Sequence, residues 1–364
     1  MFIGICASIC AGKSTIAQYL VNHHGFTHLH LDGSLAVEES SNGDIYEASL
    51  QPTRQREKTF TSADQLLDFV TRYWRDRWVT TDLPDEAVLE MYARRPFFLL
   101  ISVDAPLTVR WRRFQERHGL LLQDQQAHTT TKGGEGQDGT PTTTTTTTLE
   151  KFALLSDASL YDPTTGRVPL MSRATVRLLN TSSDLAHLYA TLGKLDLLNP
   201  DRLRPSWDAY FMSLASLAAQ RSNCMKRRVG CVVVRDKRVV STGYNGTPRG
   251  LRNCGEGGCG RCNAGHGSGH GLATCLCIHA EENALLEAGR ERVREGAVLY
   301  CDTCPCLTCS IKIVQVGISE VVYSQGYSMD GDTAAVFREA GVRLRQFVPP
   351  ANGLIQLERM DLYK

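Results

Sequence analysis

The placement of cysteine is the feature of this sequence that most restricts its fold. The chain has 364 residues and thirteen cysteines, of which eleven fall between Cys224 and Cys309 and only Cys6 and Cys10 precede residue 220. In a secreted chain this density would indicate disulfides, but the apolar N-terminus lacks a basic leading segment and is typical of a strand entering a loop. Metal binding by reduced thiols explains the cysteines better. We therefore expect a cytoplasmic protein, with the nucleus as the alternative compartment.

Two spaced motifs in the cysteine-rich region carry the chemistry. The run "CLCIHAEENALL" (275–286) has apolar residues at helical spacing, which predicts a helix that begins near His279. The run "PCLTC" (305–309) follows a strand-like segment and places Cys306 and Cys309 one helical turn apart. Alone, this pair of cysteines fits a redox pair or one half of a zinc knuckle. With His279 it makes three ligands and an open fourth position, the arrangement of a catalytic zinc.

Glu281 is the second polar residue of the HAE motif. If its carboxylate were the fourth zinc ligand, no open position would remain for water. We expect it to move protons between water and substrate instead. Zinc lowers the pKa of a bound water toward neutrality, so hydroxide would be the nucleophile. The HAE and PCLTC motifs, separated by 23 residues, match the HxE and PCxxC signature of zinc-dependent nucleobase deaminases. The competing hypothesis is a non-catalytic zinc module in which Glu281 serves no reaction.

Strand and helix patterns alternate along the chain and predict two α/β domains, residues 1–198 and 199–364. The second pattern predicts a three-layer α/β/α sandwich. The first is interrupted by a polar Thr/Gly-rich insertion, about residues 123–148, which we expect to be disordered. The longest apolar stretch, 97–103, is far too short to span a bilayer. A net charge of +1 gives no electrostatic reason for a membrane or a long nucleic acid as partner.

The stretch from about 205 to 350 resembles the deoxycytidylate (dCMP) deaminases, particularly the fungal form, within the cytidine deaminase superfamily. The resemblance rests on "SNCMKRRVGCVVV", "GYNGTPRGLRNCGEGGCGRC", "CLCIHAEENALLEAGR" and "CDTCPCLTCS". It implies a cytidine-deaminase-like sandwich that hydrolyses dCMP to dUMP and ammonia and so supplies dTMP synthesis. It also implies a homohexamer activated by dCTP and inhibited by dTTP. A deaminase of free nucleosides or of RNA bases is the alternative within the superfamily.

The segment "STGYNGTPRG" (241–250) follows a strand and turns at Gly246 and Pro248, so we place it at a sheet edge. From there Asn245 could bond a sugar hydroxyl, and Arg249 could pair with a phosphate. An Asn-Gly pair is also an ordinary turn, and the residues alone leave both readings open. The resemblance assigns Asn245 to the nucleotide pocket.

The cysteines outside the two motifs indicate a second, structural zinc. The candidates are Cys224, Cys254, Cys259, Cys262, Cys275, Cys277, His266 and His270. Related deaminases take such ligands from early cysteines and from residues just upstream of HxE, so the resemblance implies the set Cys224, Cys254, His270 and Cys275. Cys262 is the expected replacement for one of them. A histidine expected six residues before the HAE motif is Ala273 in this sequence. The alternative is a metal-free, glycine-rich loop.

The N-terminal run "ASICAGKST" (7–15) matches the phosphate loop GxxxxGK[ST] except for Ala7 at the first glycine. In such a loop Gly12 permits the turn, Lys13 and backbone amides hold phosphates, and Ser14 ligates magnesium. Residues 1–198 resemble P-loop nucleotide and dephospho-CoA kinases, with "RWRRFQERHG" as a lid helix, which implies ATP and Mg²⁺ as ligands. A bifunctional kinase is the alternative function. The Thr-rich insertion near this lid disfavours turnover, because a lid must close in a defined geometry.

Overall fold

The computed structural model describes residues 1–32, 57–118, 147–182, 184–265, 267, 270–326, 330–348, 350 and 353–357. The chain forms two compact units, one of Met1–Leu203 with Ala351–Lys364 and one of Arg204–Pro350. The expected Thr/Gly-rich insertion lies outside the described residues except for its last two positions, where Thr148 caps the following helix. The metal candidate His266 also lies outside them.

Strands and helices alternate along most of the described chain, as the sequence pattern predicts. The strands are β1 (Phe2–Ala7), β2 (Thr27–Leu31), β3 (Glu57–Phe60), β4 (Trp78–Thr80), β5 (Phe98–Asp104), β6 (Val176–Leu179), β7 (Gly230–Arg235), β8 (Arg238–Tyr244), β9 (Val298–Thr303), β10 (Glu320–Gln325), β11 (Arg343–Gln346) and β12 (Gly353–Gln356). The α-helices are α1 (Lys13–His24), α2 (Ala63–Arg72), α3 (Glu86–Ala93), α4 (Leu107–Arg117), α5 (Leu149–Tyr161), α6 (Val168–Ser172), α7 (Leu185–Leu195), α8 (Trp207–Ala219), α9 (Gly260–Asn263), α10 (Ala280–Ala288), α11 (Arg290–Val293), α12 (Leu307–Val316) and α13 (Asp330–Glu339).

The first unit is built on a parallel sheet with the strand order β12-β6-β5-β1-β4-β2-β3. Every residue of the central strand β1 is buried. Its alternate side chains, such as Ile3 and Phe2, enter two different apolar clusters. Helices α1 and α7 contribute to the first cluster, and α2 and α3 to the second, so the sheet is covered on both faces. Burial on both faces explains why β1 is an almost continuous apolar run.

The last strand, β12, belongs to the first unit. The expected division of the chain between residues 198 and 199 was wrong here, because it assigned the whole C-terminal end to the second domain. Strand β12 pairs in parallel with β6, with Gly353 opposite Val176. Leu357, just beyond the strand, is buried in the core of the first unit. The strand covers an edge of β6 whose backbone groups would otherwise lack this pairing. A linear division cannot show this, because the partner strand lies far away in sequence.

The second unit contains a five-stranded sheet with the order β11-β10-β9-β7-β8. Strands β9, β10 and β11 are parallel, whereas β7 is antiparallel to both β8 and β9. Alternate residues of β7 face opposite layers, with Val232 packed near α8 and Val233 packed near α10 and α12. Helices therefore cover both faces of the sheet. The predicted three-layer α/β/α sandwich is confirmed.

None of the helices in the described part of the chain combines the length and the apolar character needed to cross a membrane.

Candidate active site and metal-ligating clusters

The three expected ligands of the catalytic zinc lie at the N-termini of two helices. His279 is the N-cap residue of α10, and Cys306 is the N-cap residue of α12, with Cys309 in the first turn of the same helix. Both helices pack against the same apolar cluster of the second sheet. The positive end of a helix dipole favours the thiolate form of cysteine. The fold therefore brings the two motifs together where the thiolate form of the cysteine ligands is favoured.

The distances between these ligand atoms fit a zinc ion. The Nδ1 atom of His279 lies 3.3 Å from the Sγ atom of Cys306 and 3.3 Å from that of Cys309. A tetrahedral zinc with its usual bond lengths places neighbouring nitrogen and sulfur ligands about 3.5 Å apart. All three ligand atoms also lie within 4.8 Å of one another. One nitrogen and two sulfur donors suit zinc and leave a fourth position for another ligand.

Hydrogen bonds among the three side chains set their protonation. Two hydrogen bonds lower the pKa of Cys306 to about 3. The bond with Cys309 has the larger effect, and the bond with His279 has the smaller one. The hydrogen bond with Cys306 raises the pKa of His279 to about 8. The neighbouring Cys306 raises the pKa of Cys309, so the second thiol keeps its proton. A bound divalent cation takes the place of these protons, because only the deprotonated groups are metal ligands.

Glu281 lies in the first turn of α10, and only 4% of it is exposed. Burial raises the pKa of its carboxyl to about 7, while the nearby His279 acts in the opposite direction. A carboxyl that titrates near neutrality can both accept and donate a proton at physiological pH. The side chain thus has the protonation behaviour that proton transfer requires.

Close backbone packing holds α10 against β8. A Cβ atom at Gly243 would lie 2.2 Å from the carbonyl oxygen of Ala280 and 2.4 Å from the backbone nitrogen of Ala284. Only glycine allows this approach without a shift of the backbone. The side-chain amide of Asn283 also donates a hydrogen bond of 2.8 Å to the carbonyl of Tyr244. The HAE motif is therefore fixed to the sheet by contacts made along its own helix.

The PCLTC motif is held by the elements that follow it in sequence. The backbone N–H of Cys304 donates a hydrogen bond of 2.9 Å to the carbonyl of Gln325 at the end of β10. The buried hydroxyl of Thr333, on α13, donates one of 2.9 Å to the carbonyl of Pro305. These bonds satisfy polar groups of the loop between β9 and α12. They also determine where the first turn of α12 begins.

Asn245 is buried, and most of its side-chain hydrogen-bonding capacity is used within the protein. Its Oδ1 atom accepts hydrogen bonds from the hydroxyl of Ser222 at 2.7 Å and the backbone N–H of Val229 at 2.8 Å. Its Nδ2 atom donates to the carbonyl of Arg227 at 2.7 Å. A primary amide has two N–H groups, so at most one remains for a substrate. Asn245 therefore has a structural role, and the expected contact with the sugar can use only its remaining N–H group.

The rest of the GYNGTPRG loop lies beside the HAE motif. Gly246 and Ile278 exchange two backbone hydrogen bonds of 3.2 and 3.0 Å, directly before the N-cap of α10. The hydroxyl of Thr247 is buried and has no hydrogen-bond partner among the described residues. Arg249 is exposed at the end of the loop. The loop thus offers an unsatisfied hydroxyl and an exposed cation, in the segment that pairs with the residue directly before His279.

The structure arranges the remaining cysteines differently from the expected second metal set. Two groups of thiols lie within ligand distance of one another. They are Cys224, Cys254, Cys262 and Cys277, and Cys259, Cys262, Cys275 and Cys277. The expected members Cys224 and Cys254 are in the first group, but Cys275 is in the second. His270 belongs to neither; it is exposed, and its carbonyl accepts a hydrogen bond of 2.9 Å from Arg261. Cys277 was a candidate but not a member of the expected set, because it lies only two residues before His279 and no spacing separates it from the catalytic motif.

The phosphate-loop motif of the first unit joins β1 to α1, in the order that such a motif predicts. Gly12 is the N-cap residue of α1 and has a φ angle of 106°, which favours glycine. The Nζ atom of Lys13 donates a hydrogen bond of 3.2 Å to the carbonyl of Thr81. Ser14 is exposed in the first turn. The local backbone therefore has the strand, turn and helix that the motif needs.

The expected lid helix has a structural contact that sequence reasoning missed. Arg113 of α4 donates hydrogen bonds to the carbonyls of Cys10, Ala11 and Ser182, at 3.4, 3.1 and 3.0 Å. The guanidinium also donates to the carbonyl of Asn180 at 3.3 Å, and its bonds to Cys10 and Ala11 tie this helix to the phosphate-loop segment. The basic pattern of "RWRRFQERHG" could have indicated such an anchor, but not its partners.

A cluster of titratable groups at the ends of β2 and β4 was also missed. His28 and His30 have ring centroids 4.0 Å apart. His28 lies 3.2 Å from the hydroxyl of Thr81, and His30 lies 3.5 Å from a carboxylate oxygen of Asp82. The alternation in "HLHLD" was the available signal, because residues two apart share one face of a strand.

A family comparison matches the segment of the chain that contains both motifs. The family "Cytidine and deoxycytidylate deaminase zinc-binding region" matches residues 205–325, which include both the HAE and the PCLTC motif. The matched segment falls within the second unit.

Three relatives show how far the similarity extends. A deoxycytidylate deaminase of Schizosaccharomyces pombe is 45% identical over 97% of this chain and 99% of its own length. A deoxycytidylate deaminase of Saccharomyces cerevisiae is 42% identical over 95% of this chain and 96% of its own length. A deoxycytidylate deaminase of Mycobacterium phage D29 is 46% identical over 33% of this chain and 95% of its own length. The similarity to the two fungal proteins therefore spans both units.

Proposed function

This chain belongs to the deoxycytidylate deaminase family, and we propose that the residues gathered around His279 carry out the reaction of that family. The reaction is the zinc-dependent hydrolysis of dCMP to dUMP and ammonia. The observation that carries the assignment of roles is the convergence of three zinc-ligating side chains beside the buried carboxyl of Glu281.

His279, Cys306 and Cys309 would hold the zinc ion, since their ligand atoms have the spacing of three corners of a tetrahedron. Zinc, when bound, supplies a Lewis acid that makes water nucleophilic near neutral pH. The protein's own contribution is the fixed position of the ligands at two helix N-termini.

Glu281 moves two protons during the reaction. The oxygen of water bonds to C4 of the cytosine ring, and Glu281 transfers a proton from that water to the ring nitrogen. The second proton of the water then goes through Glu281 to the exocyclic amine, which leaves as ammonia. The carboxyl ends the cycle in the protonation state in which it began. Its pKa of about 7 suits both transfers.

The GYNGTPRG loop is our proposed substrate-binding segment. The buried hydroxyl of Thr247 lacks a partner among the described residues, and a bound substrate group would satisfy it. Arg249 is exposed and would pair with the 5′-phosphate, while the free N–H of Asn245 would bond the sugar. A phosphate contact would explain a preference for the nucleotide over the free nucleoside.

Replacement of Glu281 by glutamine tests the proton-transfer role. We expect Glu281→Gln to lower dCMP turnover by at least about 100-fold, because glutamine cannot carry a proton between water and substrate. Zinc content should remain that of the wild type, because Glu281 is not a ligand. Ammonia release from dCMP, deoxycytidine, CMP and single-stranded RNA measures both the loss and the substrate preference.

Glu287→Gln is the matched control, since Glu287 is exposed on the same helix. Turnover of zinc-loaded Glu281→Gln at the rate of this control would overturn the assigned role and favour the non-catalytic zinc module. Activity confined to a nucleoside or to RNA would instead contradict the proposed function of the GYNGTPRG loop.

For the first unit we propose binding of ATP with Mg²⁺ at Gly12, Lys13 and Ser14. Support comes from the left-handed Gly12 and from Lys13 at the start of α1, directly after a buried parallel strand. We expect isothermal titration to detect ATP binding to the full chain and Lys13→Ala to weaken it at least about tenfold. Equal affinity in both proteins would remove this proposal. Phosphate transfer that disappears in Lys13→Ala would extend it to the kinase alternative.

The family resemblance also supports several proposals about the whole protein. These are a homohexamer, activation by dCTP, inhibition by dTTP, and a second metal site among the cysteines outside the catalytic centre. Sedimentation and dCMP turnover measured with and without each effector test the first three. The thirteen free cysteines favour a reducing compartment, consistent with the expected cytoplasmic location.

A further inference from the structure

Six cysteines outside the catalytic centre form one compact cluster in the second unit. Four of them, Cys254, Cys259, Cys262 and Cys277, are buried against one another, and Cys224 and Cys275 pack against these four. The cluster draws its members from the segment after α8 and from the glycine-rich loop that precedes the HAE motif. All six are free thiols. Six thiols in one place are more than a single four-coordinate ion can use.

The sulfur separations within the cluster fit zinc coordination. The Sγ–Sγ distances are 3.8 Å for Cys224–Cys262, 3.9 Å for Cys259–Cys275, 3.7 Å for Cys262–Cys275 and 3.9 Å for Cys262–Cys277. Zinc–sulfur bonds of about 2.3 Å in a tetrahedron place neighbouring sulfur atoms about 3.8 Å apart. A disulfide would need about 2.05 Å. The observed spacing therefore excludes disulfides and matches that of thiolates around a metal.

The six thiols divide into two tetrahedral sets that share an edge. Cys262 and Cys277 belong to both groups of mutually close sulfur atoms. Cys224 and Cys254 belong to one group only, and Cys259 and Cys275 to the other only. Two tetrahedra with a common edge have this pattern, with two shared corners and two corners unique to each. A single four-ligand site would leave two of the thiols without a role.

We propose that these six cysteines bind two zinc ions as a binuclear cluster, separate from the catalytic zinc. Cys224 and Cys254 are terminal ligands of one ion, and Cys259 and Cys275 are terminal ligands of the other. Cys262 and Cys277 bridge the two ions. Binding releases six protons, one from each thiol, and no electron is transferred.

Hydrogen-bond donors surround the sulfur atoms, as a negatively charged thiolate cluster requires. The backbone N–H of Met225 points at the Sγ atom of Cys254, and that of Leu276 at the Sγ atom of Cys259, both at 3.4 Å. A guanidinium nitrogen of Arg261 lies 3.8 Å from the Sγ atom of Cys275. Two Zn²⁺ ions leave six thiolates with a net charge of −2, which these donors offset. Such outer contacts orient metal ligands.

The cluster lies next to the catalytic motif in the chain. Cys277 is followed by Ile278, which pairs with Gly246 of the proposed substrate loop, and then by the zinc ligand His279. A metal-bound Cys277 would therefore restrain both the proposed substrate loop and the zinc ligand His279. The restraint is valuable here because a loop with so many glycines loses much conformational entropy when it is ordered.

The first test is elemental analysis of the full-length holoprotein. We expect three zinc ions per chain in the wild type. His279→Ala, which removes only a catalytic ligand, should retain two. Cys224→Ser or Cys259→Ser should also retain two, because each leaves one complete four-cysteine set. The double variant Cys262→Ser/Cys277→Ser should retain one, and Cys6→Ser, a matched change in the other unit, should retain three.

Two zinc ions in the wild type would show a single-ion site and overturn the binuclear cluster, as would one zinc ion or bound iron. Cadmium NMR of the metal-exchanged wild type provides a measurement that needs no variant to fold. We expect two resonances in thiolate-rich environments that are coupled to each other through shared sulfur atoms. Two such resonances without coupling would contradict the bridging assignment. Dependence of dCMP turnover on Glu281 is an independent result, so failure of either proposal leaves the other to be judged separately.

Discussion

Individual cysteines of this chain show how the surroundings of one thiol decide its chemistry. Cys6 lies in the core of the first unit, where burial raises its pKa to about 12. Cys306 lies at the N-terminus of α12, where hydrogen bonds from Cys309 and His279 lower its pKa to about 3. Burial disfavours the charged form, and donors favour it. The same residue type therefore packs the core in one unit and is a proposed metal ligand in the other.

His28, in the first unit, tests how the burial of one titratable residue makes stability depend on pH. Its pKa is lowered from 6.5 to about 4, mainly by burial and to a smaller extent by the nearby His30. Between these two values the unfolded chain binds more protons than the folded one, so the free energy of unfolding falls as the pH falls. We expect the first unit to lose on the order of 2–3 kcal/mol from this residue between pH 7 and pH 4.

Denaturant unfolding at a series of pH values measures this loss. His28→Gln should reduce the slope of stability against pH across this range, since glutamine does not titrate. The matched change His187→Gln, at an exposed position of α7, should leave the slope close to that of the wild type. Equal slopes in all three proteins would show that His28 is not its source.

At the scale of elements, the proposed active site depends on the close packing of α10 on β8. We expect Gly243→Ala to destabilise the protein by roughly 1–3 kcal/mol, because the added methyl group overlaps the backbone of α10. Turnover of dCMP should fall as well, because this helix carries both His279 and Glu281. Denaturant unfolding and an ammonia-release assay measure the two effects.

Gly331→Ala is the control for this prediction, since Gly331 is in α13 and has no atom within 4 Å of an added Cβ. We expect this control to keep wild-type stability and turnover. If Gly243→Ala matched the control in both measurements, the packing of α10 on β8 would not limit the site.

At the scale of the whole molecule, the chain returns to its first unit after the second is complete. Leu357 is 4% exposed and packs in the first core, whereas Leu354 of β12 is 68% exposed. We expect Leu357→Ala to destabilise the first unit by about 2–4 kcal/mol and Leu354→Ala to have little effect. Hydrogen exchange should show lower protection in β6, the partner of β12, for Leu357→Ala only.

A loss of protection in β10 or β11 instead would contradict this assignment, because those strands belong to the second unit. The matched pair of leucines separates burial in the first core from any general effect of shortening a side chain near the C-terminus.

The proposed catalytic centre could be predicted from the sequence because its parts are local. His279 and Glu281 are neighbours at one helix N-terminus, and the spacing of Cys306 and Cys309 is one helical turn. Backbone geometry converts such short spacings into known distances. Strand and helix periodicity predicted the three-layer sandwich for the same reason. The family comparisons agree with the fold, and the roles of the individual residues stay predictions.

The sequence by itself thus determined the layered fold of the second unit and predicted the residues of its proposed reaction centre. Only the tertiary structure decided that β12 joins the first sheet and that six cysteines form two overlapping sets. It also decided that the side-chain amide of Asn245 makes most of its hydrogen bonds within the protein. Each of these depends on contacts between residues far apart in the chain or across a glycine-rich loop. Such a loop has many accessible conformations, so spacing alone does not specify which side chains meet.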